Sequence, residues 1–392
     1  MKHLLTVLLL CSGAASAATA QDVDSAAFIV RLGTDTTAIE RYVRTSDRLV
    51  AEAVTRAPST RLHRLTLDFA ANGDVARADY SASRAGDTQP LNLTTIIFAA
   101  DSTSITTAQS GTTRSRQVAA PAGAIPLAGP FYAPYELAIM RAVGAAAAEH
   151  TVPLLAGGGI VETTVRRSGR DTVVLNDQFG GLMTVHSDAS GRLLHLHTPS
   201  EATVERLRWI ELDPLIDEFA ARDESGRGLG MLSPYRAYRA QVEGANLWVD
   251  YSAPSKRGRT VFGGIVPWNE VWRTGANQAT HFATDRELEI GEARVPPGTY
   301  TLFTIPAPDG WTLIINRETG QGGLDHDPAH DLARVPLRVE RVDPAAEQFR
   351  IDIESAAGGG VLAFVWMRRG HGRRSACAEP DAFAAPCPNS AG

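Results

Sequence analysis

LHRLTLDFAANGDVARADYSAS, residues 62–83, alternates apolar and polar side chains on both sides of Asn72-Gly73. Asn-Gly between two alternating runs is a hairpin signal, so Leu62 to Phe69 and Val75 to Ser83 are expected to pair antiparallel. Side chains on a strand point alternately to opposite faces, so one face of this hairpin is buried and the other wet. The same pattern extends upstream through Phe28 to Leu32, Thr37 to Arg44 and Arg48 to Arg56. It returns downstream, where Ile160 to Arg166 and Thr172 to Asn176 flank Ser168-Gly169. Leu182 to His186 and Leu193 to His197 flank a second turn at Asp188 to Gly191.

One good helix interrupts the alternation. Pro134 suits a first helical position, and Leu137, Ile139, Met140 and Val143 lead into the alanines of 145–148. A shorter helix is expected from Asp213 through Phe219, with Pro214 behind the capping aspartate. Residues 21–230 therefore read as a mainly β unit, an antiparallel meander bent into a curved sheet or half-barrel with one helix. Sheets of that shape can hold apolar ligands in their concavity.

The charged, glycine-rich stretch from Arg222 to Ser233 reads as a linker. Eight short β runs follow: Asn246 to Tyr251, Ala279 to Thr284, Glu287 to Ile290, Thr299 to Ile305, Trp311 to Asn316, Leu332 to Glu340, Gln348 to Glu354 and Val361 to Trp366. Regular short strands predict a β-sandwich or jelly-roll-like domain over 240–367, followed by an Arg-rich, Cys-containing tail at 368–392.

Composition narrows the function classes. Hydrophobic residues at 44% and charged residues at 21% exclude a disordered chain, and 35 glycines with 22 prolines favour turn-rich β architecture. A net charge of −6 argues against nucleic-acid partners. Met1-Lys2-His3, the apolar run Leu4 to Leu10 and Ala18-Thr19-Ala20 form a signal peptide over residues 1–20, cleaved after Ala20. The expected location is the periplasm or the extracellular space, with no transmembrane span after cleavage. Cys377 and Cys387 then remain as a candidate disulfide in an oxidising compartment. Nothing in the chain specifies an oligomeric state.

The least periodic stretch carries the most specific residues. VFGGIVPWNEVWRTGANQAT, residues 261–280, places Gly263-Gly264 beside Trp268, Trp272, Arg273 and Asn277. Flat aromatic faces next to planar hydrogen-bonding groups could hold a small polar molecule, a glycan or a peptide end. The alternative is that Trp272 is core and that Arg273 and Asn277 satisfy backbone groups in an irregular loop. Together with VPPGTYTLFTIP, WTLIINRETGQ and ARVPLRVE downstream, this run resembles the bacterial family called domain of unknown function 2911. The resemblance spans about Asn246 to Trp366. It implies an exported bacterial protein and no established activity or catalytic residue. Arg259, Trp272, Arg273, Gly275, Ala276, Asn277 and Thr280 fall on its motif positions. Gly322 stands where relatives usually show a tryptophan, and the chain beyond Trp366 departs from the family's final strand.

Candidate chemistry elsewhere is sparse. His186, His195 and His197 would share a face if His186 pairs with His195, and three imidazoles could hold zinc, although exposed strand histidines are commoner. Asp325, His326, Asp327, His330 and Asp331 form a dense set of possible metal ligands, but the run lacks the glycine and glutamate of an EF-hand loop. No Gly-x-Ser-x-Gly elbow, Walker loop or HExxH occurs, and no cofactor is implied. The sequence thus predicts a non-catalytic binding module for a small polar or peptidic ligand, built on Arg259, Trp268, Trp272, Arg273, Asn277 and Thr280. The alternatives are a metal-assisted hydrolase using residues 325–331 and a purely structural cell-envelope protein.

Overall fold

The computed structural model describes residues 23–99, 102–145, 147–340, 346–356, 358–366 and 376–379, the last four and Glu340 as backbone alone. The expected signal peptide, the arginines after Trp366 and Cys387 lie outside these residues, as does the Cys377 side chain.

The hairpin quoted above forms as β4 (Arg61–Phe69) and β5 (Val75–Arg84). Gly73 takes the left-handed conformation, with φ +83°, and the Asn72 side chain accepts the Asp74 amide at 3.0 Å. Before it run β1 (Asp24–Leu32), β2 (Asp35–Arg44) and β3 (Arg48–Thr55); after it come β6 (Asn92–Phe98), β7 (Thr103–Gln109) and β8 (Thr112–Val118). The short β9 (Ile125–Pro126) and helix α1 (Ala133–Gly144) lead to β10 (Glu149–Ala156) and β11 (Gly159–Arg167). Four more strands complete the sheet: β12 (Thr172–Asp177), β13 (Gly181–Ser187), β14 (Leu193–His197) and β15 (Ala202–Leu207).

Among the described residues these strands make one fifteen-stranded sheet, in which β1 pairs with β15 to join two meanders. The sheet curves around α1. Leu65 and Leu67 of β4, Leu175 of β12 and Val185 of β13 belong to one core with Ala138 and Ile139 of the helix. The helix starts with proline in its first turn, as the sequence predicts, but stops at Gly144. The second helix, α2 (Asp213–Glu224), is longer than expected and lies on the convex side, where Phe219 packs with Ile39 and Val54.

The C-terminal half is a separate sheet. Its strands are β16 (Tyr235–Val242), β17 (Ala245–Ser252), β18 (Ala276–Thr284), β19 (Leu288–Ile290), β20 (Ala293–Val295), β21 (Gly298–Ala307) and β22 (Gly310–Asn316). They continue with β23 (Asp331–Glu340), β24 (Arg350–Ala356), β25 (Gly359–Trp366) and β26 (Ala376–Glu379). Nine of them form the sheet in the order β16-β17-β18-β21-β22-β23-β26-β25-β24, while β19 and β20 make a small hairpin. Neither sheet closes into a barrel. Within the expected tail of 368–392, β26 pairs with both β23 and β25. A four-residue strand carries too little alternation to be read locally, and the open edges of its two neighbours supply its partners.

The C-terminal interior is filled by rings. Trp272 stacks on Trp366 at 5.6 Å between centroids and meets Phe349 edge-on at 5.2 Å, while Phe262 meets Trp311 edge-on at 4.9 Å. Offset and edge-to-face contacts of this kind add to the large apolar area such rings bury.

Candidate functional site

The concavity of the N-terminal sheet is only partly filled. Helix α1 occupies one part and is held there by three carboxylates. Its N-terminal residue Tyr132 offers no side-chain cap. Glu40 of β2 supplies one instead, accepting the amides of Tyr132 at 2.6 Å and Ala133 at 3.1 Å. Burial pushes the Glu40 carboxyl up to about 8, outweighing the two amides that favour its charged form. Glu136 is also raised by burial, against the pull of Arg206 and the Tyr42 hydroxyl that donates to it. It accepts the Leu193 amide at 2.8 Å and pairs with Arg206, whose guanidinium lies over the Phe28 and Tyr42 rings. Asp177 accepts the Tyr135 hydroxyl at 3.0 Å and the amides of Phe179 and Gly180 at 2.8 Å.

Beyond the helix start a cavity of about 520 Å³ remains. Small residues leave the space, with Ala38, Ala57, Gly129, Ala156 and Gly157 all on its wall. Val30, Leu127, Phe131 and Phe179 make it apolar, and Thr37, Thr55, Tyr132 and Tyr135 contribute hydroxyl-bearing side chains. Among the described residues no charged side chain lines it. Such a size and lining fall in the range of small-molecule sites. The wall residues flank the β1–β2, β3–β4, β10–β11 and β12–β13 turns, so the cavity sits at one end of the curved sheet.

The residues singled out in the C-terminal half have other surroundings. Trp272 is 7% exposed and belongs to the ring-filled core. Arg273, whose charge burial disfavours, donates from Nη1 to the Asn277 carbonyl at 2.9 Å. Thr274 and Asn277 both adopt left-handed backbone, with φ +54° and +58°. A Cβ on Gly275 between them would lie 3.0 Å from the Ser252 carbonyl and from Thr280 Oγ1. Thr280 is buried and donates to the Thr274 carbonyl at 2.8 Å, locking the turn. Trp268 remains half-exposed, packs against Phe262 at 5.7 Å and lies on Gly263, where any Cβ would be 2.5 Å from the indole nitrogen. The close approach that Gly263 allows thus serves this ring. Arg259 is buried and donates to the carbonyls of Lys256 and Ser200 at 3.0 Å and of Ser255 at 2.6 Å.

Among the described residues no group of three or more His, Cys, Asp or Glu is placed to share a metal ion. Asp325 accepts the Gly322 amide, Asp327 caps the Ala329 amide and His330 pairs with Asp327 and Glu318. His326 Nε2 meets Asp331 at 2.8 Å. Burial opposes the Asp331 charge, but the bonds from His326, Asn316 and Arg334 outweigh it and hold the carboxyl low. The ligand-like groups are dispersed because each already serves its own turn. His186 and His195 do pair across β13 and β14, with ring centroids 6.4 Å apart, and His197 sits opposite Thr184.

Sequence reasoning missed Glu40, Glu136 and Arg206 altogether. The available signal was Glu40 itself, an acidic residue on the face that also carries Ala38 and Tyr42.

Residues 233–370 match the model of a family described as "Protein of unknown function (DUF2911)". No curated protein matches the chain. The cavity wall falls wholly outside the matched residues.

Proposed function

We propose that this is an exported binding protein for a small, uncharged, largely apolar molecule, held in the concavity of the N-terminal sheet. The observation that carries the reading is the cavity of about 520 Å³ without a charged side chain on its wall. A carboxylate or phosphate buried there would lose its water and gain no compensating cation, whereas a ring or acyl chain would gain from leaving water. Three of the four wall hydroxyls already bond within the protein, Thr37 to the Val30 carbonyl, Thr55 to His63 and Tyr135 to Asp177, which suits a ligand with few polar groups. The signal-like start of the chain supports export, and a carrier for poorly soluble molecules has its use outside the cytoplasm. The binding module expected from the sequence is thus kept in class and moved in place: Trp272 is core, and Arg273 and Asn277 bond each other's part of one turn.

Titration with a neutral fluorescent probe such as N-phenyl-1-naphthylamine tests this. Wild-type protein should bind it saturably, and an anionic naphthalene sulfonate more weakly. Ala156→Phe, which fills the cavity from its wall, should weaken binding by about tenfold or more while leaving thermal stability nearly unchanged. Equal binding by Ala156→Phe and wild type would remove the proposal.

A further inference from the structure

The end of the sheet that holds the cavity is also where the two halves of the chain meet. Gly33, in the β1–β2 turn, approaches the Arg257 carbonyl so closely that a Cβ would lie 2.0 Å from it. A Cβ on Gly258 would lie 2.6 Å from the Thr34 methyl, and both glycines have left-handed backbone. The Thr34 amide donates to the Arg257 carbonyl at 3.0 Å, and Arg257 Nη1 pairs with Asp35 at 2.6 Å. Asp35 opens β2 two residues before Thr37 of the cavity wall.

The segment joining the halves, residues 225–234, passes the same place. Leu232 lines the cavity, and the Leu229 carbonyl accepts Arg257 Nη2 at 3.4 Å. Gly226 and Gly230 adopt left-handed backbone; Gly226 ends α2, its amide donating to the Asp223 carbonyl at 3.0 Å, and the segment runs on from there. Arg257 itself is held at φ +50°, outside the usual range for a side chain of its size, and its Nε is buried without a partner. A strained arginine that fastens two elements at once is the kind of contact from which a switch point is built.

We infer that residues 225–234 are a strap across the cavity, with Leu232 as its plug, and that Arg257 of the C-terminal half is the latch that ties it to Asp35. Docking of the two halves then controls entry and exit. This rests on the binding reading above, since it describes access to that same cavity, but it is tested without any ligand.

The test places a cysteine on the wall, Ala156→Cys, and follows its reaction with N-ethylmaleimide by mass spectrometry of the peptide containing residue 156. With the latch intact the reaction should be slow. Arg257→Ala and Asp35→Asn, each added to Ala156→Cys, should speed it about fivefold, as expected for loss of one part-buried ion pair. The two together should be no faster than Arg257→Ala alone, because Arg257 makes both the Asp35 and the Leu229 contact. Leu232→Ala should also speed it with the latch in place. Unchanged rates in Asp35→Asn and Leu232→Ala, or additive effects of Arg257→Ala and Asp35→Asn, would overturn the strap. Should the rates respond while no apolar probe binds wild-type protein, the strap stands and the ligand reading falls.

Discussion

Both halves of this chain bend an antiparallel sheet around an interior, and they fill that interior in opposite ways. The C-terminal half packs Trp272, Trp311, Phe349 and Trp366 ring against ring. The N-terminal half places a helix in one part and lines the remainder with alanine, glycine and threonine between Phe131, Tyr132, Tyr135 and Phe179, leaving a cavity. Ring volume decides the difference. Indoles consume the space that curvature creates, whereas small side chains on a wide sheet do not. A family motif rich in tryptophan therefore marks a core, and the cavity lies in the half whose sequence looks plainest.

Three measurements would break or sharpen that contrast. The largest effect should come from Trp272→Ala, which removes a ring with three aromatic neighbours. It should destabilise the C-terminal half by ~3–5 kcal/mol in guanidinium unfolding. A loss under about 1 kcal/mol would show that the rings are not the core of that half.

The second probes how the helix is held beside the cavity. Glu40 ionises near 4.5 when unfolded and at about 8 when folded. Between those values the unfolded state has released its proton and the folded state keeps it, so stability falls as pH rises. The slope should approach roughly 1.4 kcal/mol per pH unit, and the contribution is fully present only below the unfolded value. Urea unfolding between about pH 5 and pH 8 should show this decline in wild type and a flatter profile in Glu40→Gln, which keeps an acceptor oxygen for one of the two amides and cannot titrate. Parallel profiles would mean that Glu40 is charged in the fold.

The smallest effect is expected from Trp268→Ala. Its indole is 36% exposed and covers Phe262 from outside. Thermal unfolding should show a loss of about 1 kcal/mol, well below that of Trp272→Ala, separating a covering ring from a core one.

Much of the strand pattern was legible because alternation is a local property. β2, β4, β5, β12 and β14 lie within a residue or two of the runs that predicted them. The strands that escaped notice have little alternation to read. β8 is TTRSRQV and almost wholly exposed, and β16 is YRAYRAQV with seven of its eight residues outside the buried class. The candidate site was less legible. Sequence drew attention to Trp268, Arg273 and Asn277 because they cluster along the chain, but Arg273 bonds the Asn277 carbonyl to close a turn and Trp268 covers Phe262. The cavity wall draws on segments from Val30 to Leu232, none of which is unusual alone.

The sequence by itself determined which residues alternate, where proline starts the first helix and which turn needs Gly73, since each depends on a few neighbouring dihedral angles. Only the tertiary structure decided that Glu40 caps a helix 92 residues away, that Gly33 meets Arg257 and that a void survives beside α1. A carboxyl's environment and an unfilled volume are set by every group that surrounds them, and those groups are brought together only when the sheet curves.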